Sequence, residues 1–240
     1  MKLTEWYWTL YGLLSYDILL LFLPYQELLE EEIGISKLER GMRIFDAGCG
    51  TGNLIWKIAS RLPDLQIIGG DFTNALLGVA KTKLALTTKK ENISVGFREI
   101  DINNLLPFPD NSFDRIFCSN VLYALDNPDA ALKEFNRVLK NNGKLILVNP
   151  PKSYKENAPF VDHMKRASFI RKLALIPFLP ILILLKIFNI INQRNKDWHF
   201  YSSQELVRKI KNAAFDVDVV KNVYSGIGTL VLATRMKEGE

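Results

Sequence analysis

One short stretch constrains this chain more than any other: Ile44-Phe45-Asp46-Ala47-Gly48-Cys49-Gly50-Thr51-Gly52-Asn53-Leu54. An apolar run ends in an acid, glycines then alternate at 48, 50 and 52, and an amphipathic stretch runs from Asn53 to about Arg61. The apolar run predicts a buried strand, and the period that follows predicts a helix. Glycines at such a turn reach backbone conformations that a side chain forbids, and they let the main chain approach a ligand. A nucleotide-like ligand is therefore expected over the C-terminal edge of the first strand.

Spacing narrows the choice. A dinucleotide fingerprint wants Gly-x-Gly-x-x-Gly, with its third glycine packing helix on strand. Here that position is Asn53, and the glycines fall as Gly-x-Gly-x-Gly. Asp46, two residues before the first glycine, would repel a pyrophosphate but suits a ligand with an ammonium group. A second apolar run, Gln66 to Gly70, ends in Asp71, 19 residues after Gly52. Alone, an acid at a strand end serves as a turn or helix cap. At this distance from a glycine loop it can accept hydrogen bonds from both hydroxyls of a ribose.

Asp-x-Gly-x-Gly-x-Gly resembles the first motif of class I S-adenosylmethionine-dependent methyltransferases. The resemblance continues through a third strand over Ile93–Glu99, then Asp101-Ile102, then Leu106-Pro107-Phe108-Pro109-Asp110-Asn111-Ser112-Phe113-Asp114. Arg115–Ser119 reads as a fourth strand and Asn127–Lys140 as a helix with Ala131, Leu132, Phe135, Val138 and Leu139 on one face. Arg137-Val138-Leu139-Lys140 leads into Asn141-Asn142-Gly143, where the family has Pro-Gly-Gly; asparagine tolerates left-handed backbone, so the turn is expected to survive. Phe215–Lys221 and Ile227–Arg235 are expected to close the sheet as an antiparallel hairpin. The fit is good over roughly residues 40 to 150. It is closest to the ubiquinone/menaquinone biosynthesis branch, to which Tyr16-Asp17 and Phe200 to Leu206 also look similar.

The resemblance implies a doubly wound α/β fold, a mostly parallel seven-stranded sheet whose last strand is antiparallel. It implies S-adenosylmethionine as cofactor, its methionine end held by Asp46, Ala47, Gly48, Cys49, Gly50, Gly52 and Asn53. Asp71 and Phe72 would meet the ribose, Asp101 and Ile102 the adenine, with Ser119 completing the set at the end of the fourth strand. One domain over residues 1–240 is expected: an N-terminal helical cap to 40, a cofactor-binding core over 41–150, an apolar and basic insertion over 151–201, and a final helix and hairpin over 202–240. Strands alternating with helices require a sheet covered on both faces, and 48% apolar content can fill such a core.

The insertion bears on the methyl acceptor. Leu173–Leu185 is thirteen uncharged residues containing Pro177 and Pro180, flanked by Lys165, Arg166, Arg171 and Lys172 before and by Arg194 and Lys196 after. That is short of the ~20 residues needed to span a bilayer. A crossing would also strand the last two strands on the far side of the membrane from the sheet they must join. Two readings stand: a helical cap over the site, or a cap that also contacts a bilayer surface through 169–191. Both favour a hydrophobic small-molecule acceptor such as a prenylated quinone or lipid precursor. A soluble acceptor, a non-catalytic membrane adaptor with a relic pocket, and an NAD-dependent oxidoreductase are the alternatives.

Net charge is +5, but the basic residues are dispersed, so no nucleic-acid surface is expected. Cys49 and Cys118 have no metal-ligand spacing, and neither a metal nor a disulfide is expected. The opening residues lack a leader pattern, giving a cytoplasmic expectation, with peripheral contact at the inner membrane face under the second reading. Nothing in the sequence sets an oligomeric state. Tyr123, just past the fourth strand, is a candidate acceptor-facing residue; His163 and His199, the only histidines, are weaker candidates for a base, with surface roles the plainer reading. Asn149-Pro150-Pro151 reads as a turn.

Overall fold

Parity along the strands decides the architecture. In β1 (Arg43–Ala47), Ile44 and Phe45 point to opposite faces, and both are completely buried. In β4 (Phe113–Ser119) and β5 (Leu139–Asn149), Phe117, Ile146 and Val148 pack on one side, while Ile116, Cys118, Leu145 and Leu147 pack on the other. Strands apolar on both faces can exist only with a layer of helices over each. A computed structural model of the chain describes residues 3–87, 91–192 and 198–236.

With β2 (Gln66–Asp71), β3 (Ser94–Glu99), β6 (Phe215–Val223) and β7 (Gly228–Arg235), the sheet runs β3-β2-β1-β4-β5-β7-β6. All neighbours are parallel except β7, which is antiparallel to β5 and β6, as the sequence led one to expect. One face is covered by α2 (Leu23–Ser36), α3 (Asn53–Ala59) and α4 (Asn74–Ala85), the other by α5 (Pro128–Val138) and α9 (Ser203–Asn212). α5 ends two residues before the expected Lys140, because Leu139 is already extended and pairs with Phe113. Asn142 takes the left-handed conformation expected of it, φ 61°.

The Leu106–Asp114 segment owes its composition to packing. Phe108 meets Phe45 edge-on at a centroid distance of 5.2 Å, and Phe113 stacks on it at 5.4 Å. Arg137 holds the segment from α5, donating to the carbonyls of Leu106 and Phe108 and pairing with Glu134 and Asp110.

Two additions sit at the carboxyl edge of the sheet. The first is α1 (Leu3–Leu19), which turns through 90° into α2. Gly12 lets α1 lie close on α4: a Cβ there would come within 2.8 Å of Leu76. The second is the insertion, which folds as α6 (Ala158–Arg166), α7 (Phe169–Leu173) and α8 (Leu179–Asn192). Among the described residues no single helix is long and apolar enough to cross a membrane. The bent α1–α2 pair has the length, but α2 buries Leu28, Leu29 and Glu32 in the protein.

The expectation of a surface role for His163 fails. Its side chain is completely buried in the seam between α6 and α2, where Nδ1 accepts from the Leu23 amide at 3.2 Å. Arg166 closes the same seam by pairing with Glu27 and Asp162. The acceptor role of Nδ1 assigns the ring proton to Nε2, which has no hydrogen-bond partner. Burial pushes the imidazole below its ordinary value of 6.5, opposed by the backbone of Arg171 and helped by the positive charges of Arg171, Lys172 and Arg166. The unfolded chain therefore binds more protons than the folded one below about pH 6.5, and the stability contributed by the neutral ring is lost as pH falls through that window. A His163→Asn variant keeps an acceptor for Leu23 but cannot titrate. Its melting temperature, measured from about pH 7 to pH 5, is expected to fall less than that of the parent protein.

Candidate active site

All three glycines of the 48–52 loop have positive φ: 78° at Gly48, 52° at Gly50 and 73° at Gly52. A side chain at any of them would strain the turn, which accounts for their alternation. The loop is anchored to β2, since the amides of Gly48 and Cys49 both donate to the Gly70 carbonyl at 2.7 and 3.0 Å. Asp71 completes the anchor, accepting from Gly50 N through Oδ2 and from Thr73 N through Oδ1, each at 2.9 Å. A carboxylate has about four lone-pair sites, so two remain for a ligand.

Parallel register gathers the acids at the carboxyl ends of β1, β2 and β3 on one edge of the sheet. Asp46 pairs beside Gly69 on β2 and Phe117 on β4, and Asp71 beside Glu99 on β3. At the tip of β4, Ser119 donates to Glu32 on α2. Glu32 is completely buried, and its second oxygen has no partner. Burial raises its carboxyl to about 7, against the lowering effect of the Ser119 hydroxyl. Asp46 is raised well above its usual range, by burial and then by the charges of Glu32 and Asp71. Asp71 is also raised by burial, though its two amide donors oppose this. Among the described residues no salt bridge reaches any of the three acids.

These groups open on one cavity of about 1150 Å³. Its floor includes Asp46, Gly48, Cys49, Gly50 and Asn53; Asp71, Phe72, Asp101 and Ile102 line it further along, and Ser119 stands in its wall. Asp101 is exposed and engaged with its own turn, accepting from Asn103 and Asn104. Two of the expected residues lie off the cavity. Ala47 is packed inside β1 beneath the loop, and Gly52 turns into α3, where a Cβ would come within 3.0 Å of Ala80.

The roof comes from the two additions. Tyr7, Trp8, Tyr11 and Tyr16 of α1, Trp198 and Phe200 near the end of the insertion, and Leu179, Leu182, Ile183 and Lys186 of α8 all line the cavity. Tyr16 and Asp17 latch this roof to the loop. The Tyr16 carbonyl accepts from Asn53 Nδ2 at 2.9 Å, and Asp17 accepts from Thr51 and pairs with Lys83. Tyr123 lines the cavity among Trp8, Trp198 and Phe200, with the Phe200 ring stacked at 5.5 Å. Burial pushes its phenol well above the ordinary value, so it keeps its proton. The histidines do not join it. His163 is in the α2–α6 seam, and His199 lies outside the lining, its amide donating to the Tyr123 carbonyl at 2.7 Å and its ring stacked on Tyr201. Asn149 buttresses that stretch, donating to the carbonyls of Pro150 and His199.

Sequence reasoning missed Glu32 and the aromatic wall of α1. A signal for Glu32 existed: it falls three and four residues after Leu29 and Leu28, in phase with the buried face of α2, unlike Glu30 and Glu31.

Comparison with known proteins agrees with this geometry. A family model described as a methyltransferase domain matches residues 38–213. Ubiquinone/menaquinone biosynthesis C-methyltransferases UbiE of Shewanella oneidensis and Shewanella baltica are 36% identical over 118 residues, 48% of this chain and 45% of theirs. The chain thus spans about half the length of the curated relatives it matches. Its fold is similar to a SAM-dependent methyltransferase from Aquifex aeolicus, with a TM-score of 0.59 and 21% identity over 92% of this chain and 94% of that one. It is similar also to magnesium protoporphyrin IX methyltransferase from Synechocystis with bound SAH, at 0.55 and 16% over 88% and 81%. The [4+2]-cyclase SpnF shares the fold at 0.62 and 17%, over 88% and 81%. With a matching domain that takes in the glycine loop and every strand through β5, this chain belongs to the S-adenosylmethionine-dependent methyltransferase family.

Proposed function

We propose that the chain transfers a methyl group from S-adenosylmethionine to a hydrophobic small molecule, of the kind of a prenylated quinone or lipid precursor, drawn from a membrane surface. The observation that carries this reading is the continuity of the cavity, which joins the acids at the sheet edge to the apolar helix α8 without a wall between them. Its volume of about 1150 Å³ exceeds the ~300–1,000 Å³ of ordinary small-molecule sites, enough for a cofactor and a second ligand side by side.

The residues present fit the cofactor. An acid-rich floor, whose three acids pair with no lysine or arginine among the described residues, suits a ligand bearing an ammonium and a sulfonium, and the left-handed glycine loop keeps the floor open. Asp46 and the loop residues would hold the methionine end, the unfilled lone pairs of Asp71 the ribose, and Asp101 with Ile102 the adenine. When bound, S-adenosylmethionine supplies a methyl group activated by its positive sulfur. The protein's part is to align the acceptor with that methyl and exclude water; orientation alone can lower such a barrier by about 7–11 kcal/mol. Tyr123, Trp8, Trp198 and Phe200 offer a wall against which a flat ring can stack, and Tyr123 keeps its proton for donation to an acceptor oxygen.

The membrane part rests on the outer surface of the same helices. Phe169 and Ile170 are 74% and 78% exposed, Ile176 54% and Ile183 60%. Ile183 also lines the cavity, so the apolar surface leads into the site. Lys165, Arg171 and Lys172 lie beside it, whereas Arg166 is taken up by Glu27 and Asp162. Arg194 and Lys196 lie outside the described residues. A greasy tail gains about 0.8 kcal/mol per buried methylene, so such an acceptor needs few polar contacts.

Two outcomes are expected. Asp71→Asn should weaken binding of S-adenosylhomocysteine, measured by calorimetry, by about 1.5–3 kcal/mol, the contribution of a hydrogen bond to a charged acceptor; equal affinity would remove the ribose role. A double Phe169→Asp, Ile170→Asp variant should lose at least about tenfold in co-sedimentation with anionic vesicles, since each side chain is worth ~1.5–3 kcal/mol when buried. It should bind S-adenosylhomocysteine as the parent does, and undiminished vesicle binding would sink the membrane contact.

A further inference from the structure

Glu32 has no place in the cofactor contacts described so far, yet it stands in the cavity wall, completely buried, with Oε2 unpartnered. Burying an ionised carboxylate without a cation or a full set of hydrogen bonds is costly. The groups around it supply neither. Ser119 gives one hydroxyl to Oε1, Asp46 on the same floor is a further acid whose carboxyl Glu32 helps to raise, and Tyr25 and Cys118, which feel the Glu32 charge, are neutral groups held above their ordinary values by burial.

The cations that reach α2 are engaged elsewhere. Among the described residues, Lys57 and Arg61 pair with Glu30, Lys221 with Glu31, and Arg166 with Glu27; Arg115 donates to the Ser36 carbonyl and Arg171 to the Gln26 side chain, while Lys186 lines the cavity from α8 and pairs with none of the three acids. His163, from α6, meets the far end of α2 at Leu23. Among the described residues no group of three His, Cys, Asp or Glu side chains is placed to hold a metal ion. What this corner lacks is a positive charge from outside the protein.

Building on the cofactor assignment, we propose that Glu32 and Asp46 together form a two-carboxylate receptor for the ammonium group of the cofactor, and that Glu32 gives up its proton to solvent as that group arrives. Before the cofactor binds, burial favours the protonated form of Glu32, with the Ser119 hydroxyl on one oxygen as the opposing influence. The incoming ammonium replaces the missing cation, donates to the carboxylates, and makes the ionised form the stable one. Ser119 becomes a positioning residue, since its hydroxyl donates to the ionised form. Cofactor binding is thereby coupled to pH: affinity rises with pH through the neutral range, where Glu32 must be deprotonated at decreasing cost.

Calorimetry separates this role from the others open to a buried acid. S-adenosylhomocysteine is titrated at pH 7 in buffers of low and high ionisation enthalpy, and again at pH 6 and pH 8, beside 5′-methylthioadenosine, which carries the same nucleoside but no ammonium. The parent protein should release protons on binding S-adenosylhomocysteine. Glu32→Gln should release fewer protons at pH 7 than the parent, because burial raises the Glu32 carboxyl to about 7 and glutamine has no proton to give up. It should bind S-adenosylhomocysteine at least tenfold more weakly at pH 8 while binding 5′-methylthioadenosine unchanged.

Unchanged affinity and proton release for S-adenosylhomocysteine overturn the proposal, and if turnover is lost at the same time they assign Glu32 to proton abstraction from the acceptor. Equal weakening of both ligands overturns it in favour of a packing role. Failure of the parent protein to bind either ligand removes the cofactor assignment itself, a result distinct from the other two. Should Glu32→Gln not fold, Ser119→Ala decides: loss of the hydroxyl should move the midpoint of the affinity–pH curve upward, and an unmoved midpoint refutes the coupling.

Discussion

The site depends on one carboxylate holding a strained loop. Asp71 reaches from the end of β2 to the amide of Gly50, in a turn whose three glycines all carry positive φ. Without an acceptor at that point, the Gly50 amide would be left unpaired in a buried turn, at a cost of about 1–3 kcal/mol. The same side chain accepts from Thr73 and so sets the start of α4. Scaffold and cavity lining are therefore not separate duties of Asp71: each oxygen that holds the turn keeps a lone pair for the cavity it lines.

Around that anchor the protein builds an unusual electrostatic floor. Parallel register brings Asp46 and Asp71 to neighbouring strand tips, and α2 lowers Glu32 into the same cavity wall. Desolvation raises all three acids, and no lysine or arginine among the described residues relieves them. Such a floor disfavours phosphates and favours a ligand with its own positive charges. The roof has the opposite character. α1 contributes aromatic rings, α8 contributes aliphatic chains, and the Asn53–Tyr16 and Asp17–Lys83 contacts fasten α1 to the glycine loop. The acids of the cavity thus come from the sheet edge and α2, and its apolar and aromatic surface from the helices added to it.

Much of this was legible before any coordinates. Ile44-Phe45, Ile116-Phe117 and Leu145 to Val148 are apolar at successive positions, which only a sheet covered on both faces accommodates. The glycine alternation predicted a turn in conformations a side chain forbids, and the distance to Asp71 suggested an acid for a ribose; its bond to the Gly50 amide appeared only in the fold. Glu32 was hidden in the run Glu30-Glu31-Glu32, where charge suggests a solvated helix face and only the phase with Leu28 and Leu29 suggests otherwise. His163 was misread for a similar reason. A lone histidine in a polar stretch gives no sign that a helix 140 residues earlier will offer its first free amide.

The sequence by itself determined the strand parity and the turn at 48–52, because each is encoded by residues contiguous in the chain and limited by local backbone sterics or periodicity; the class of cofactor followed from the resemblance of that turn to a known family motif. Tertiary structure alone decided which acids share a wall, which aromatic rings form the roof and where the histidines go. Those outcomes depend on contacts between segments far apart in sequence, such as Glu32 with Ser119 and Trp8 with Trp198. No local rule relates such positions; only the packing of α1, α2 and the insertion onto the sheet edge does.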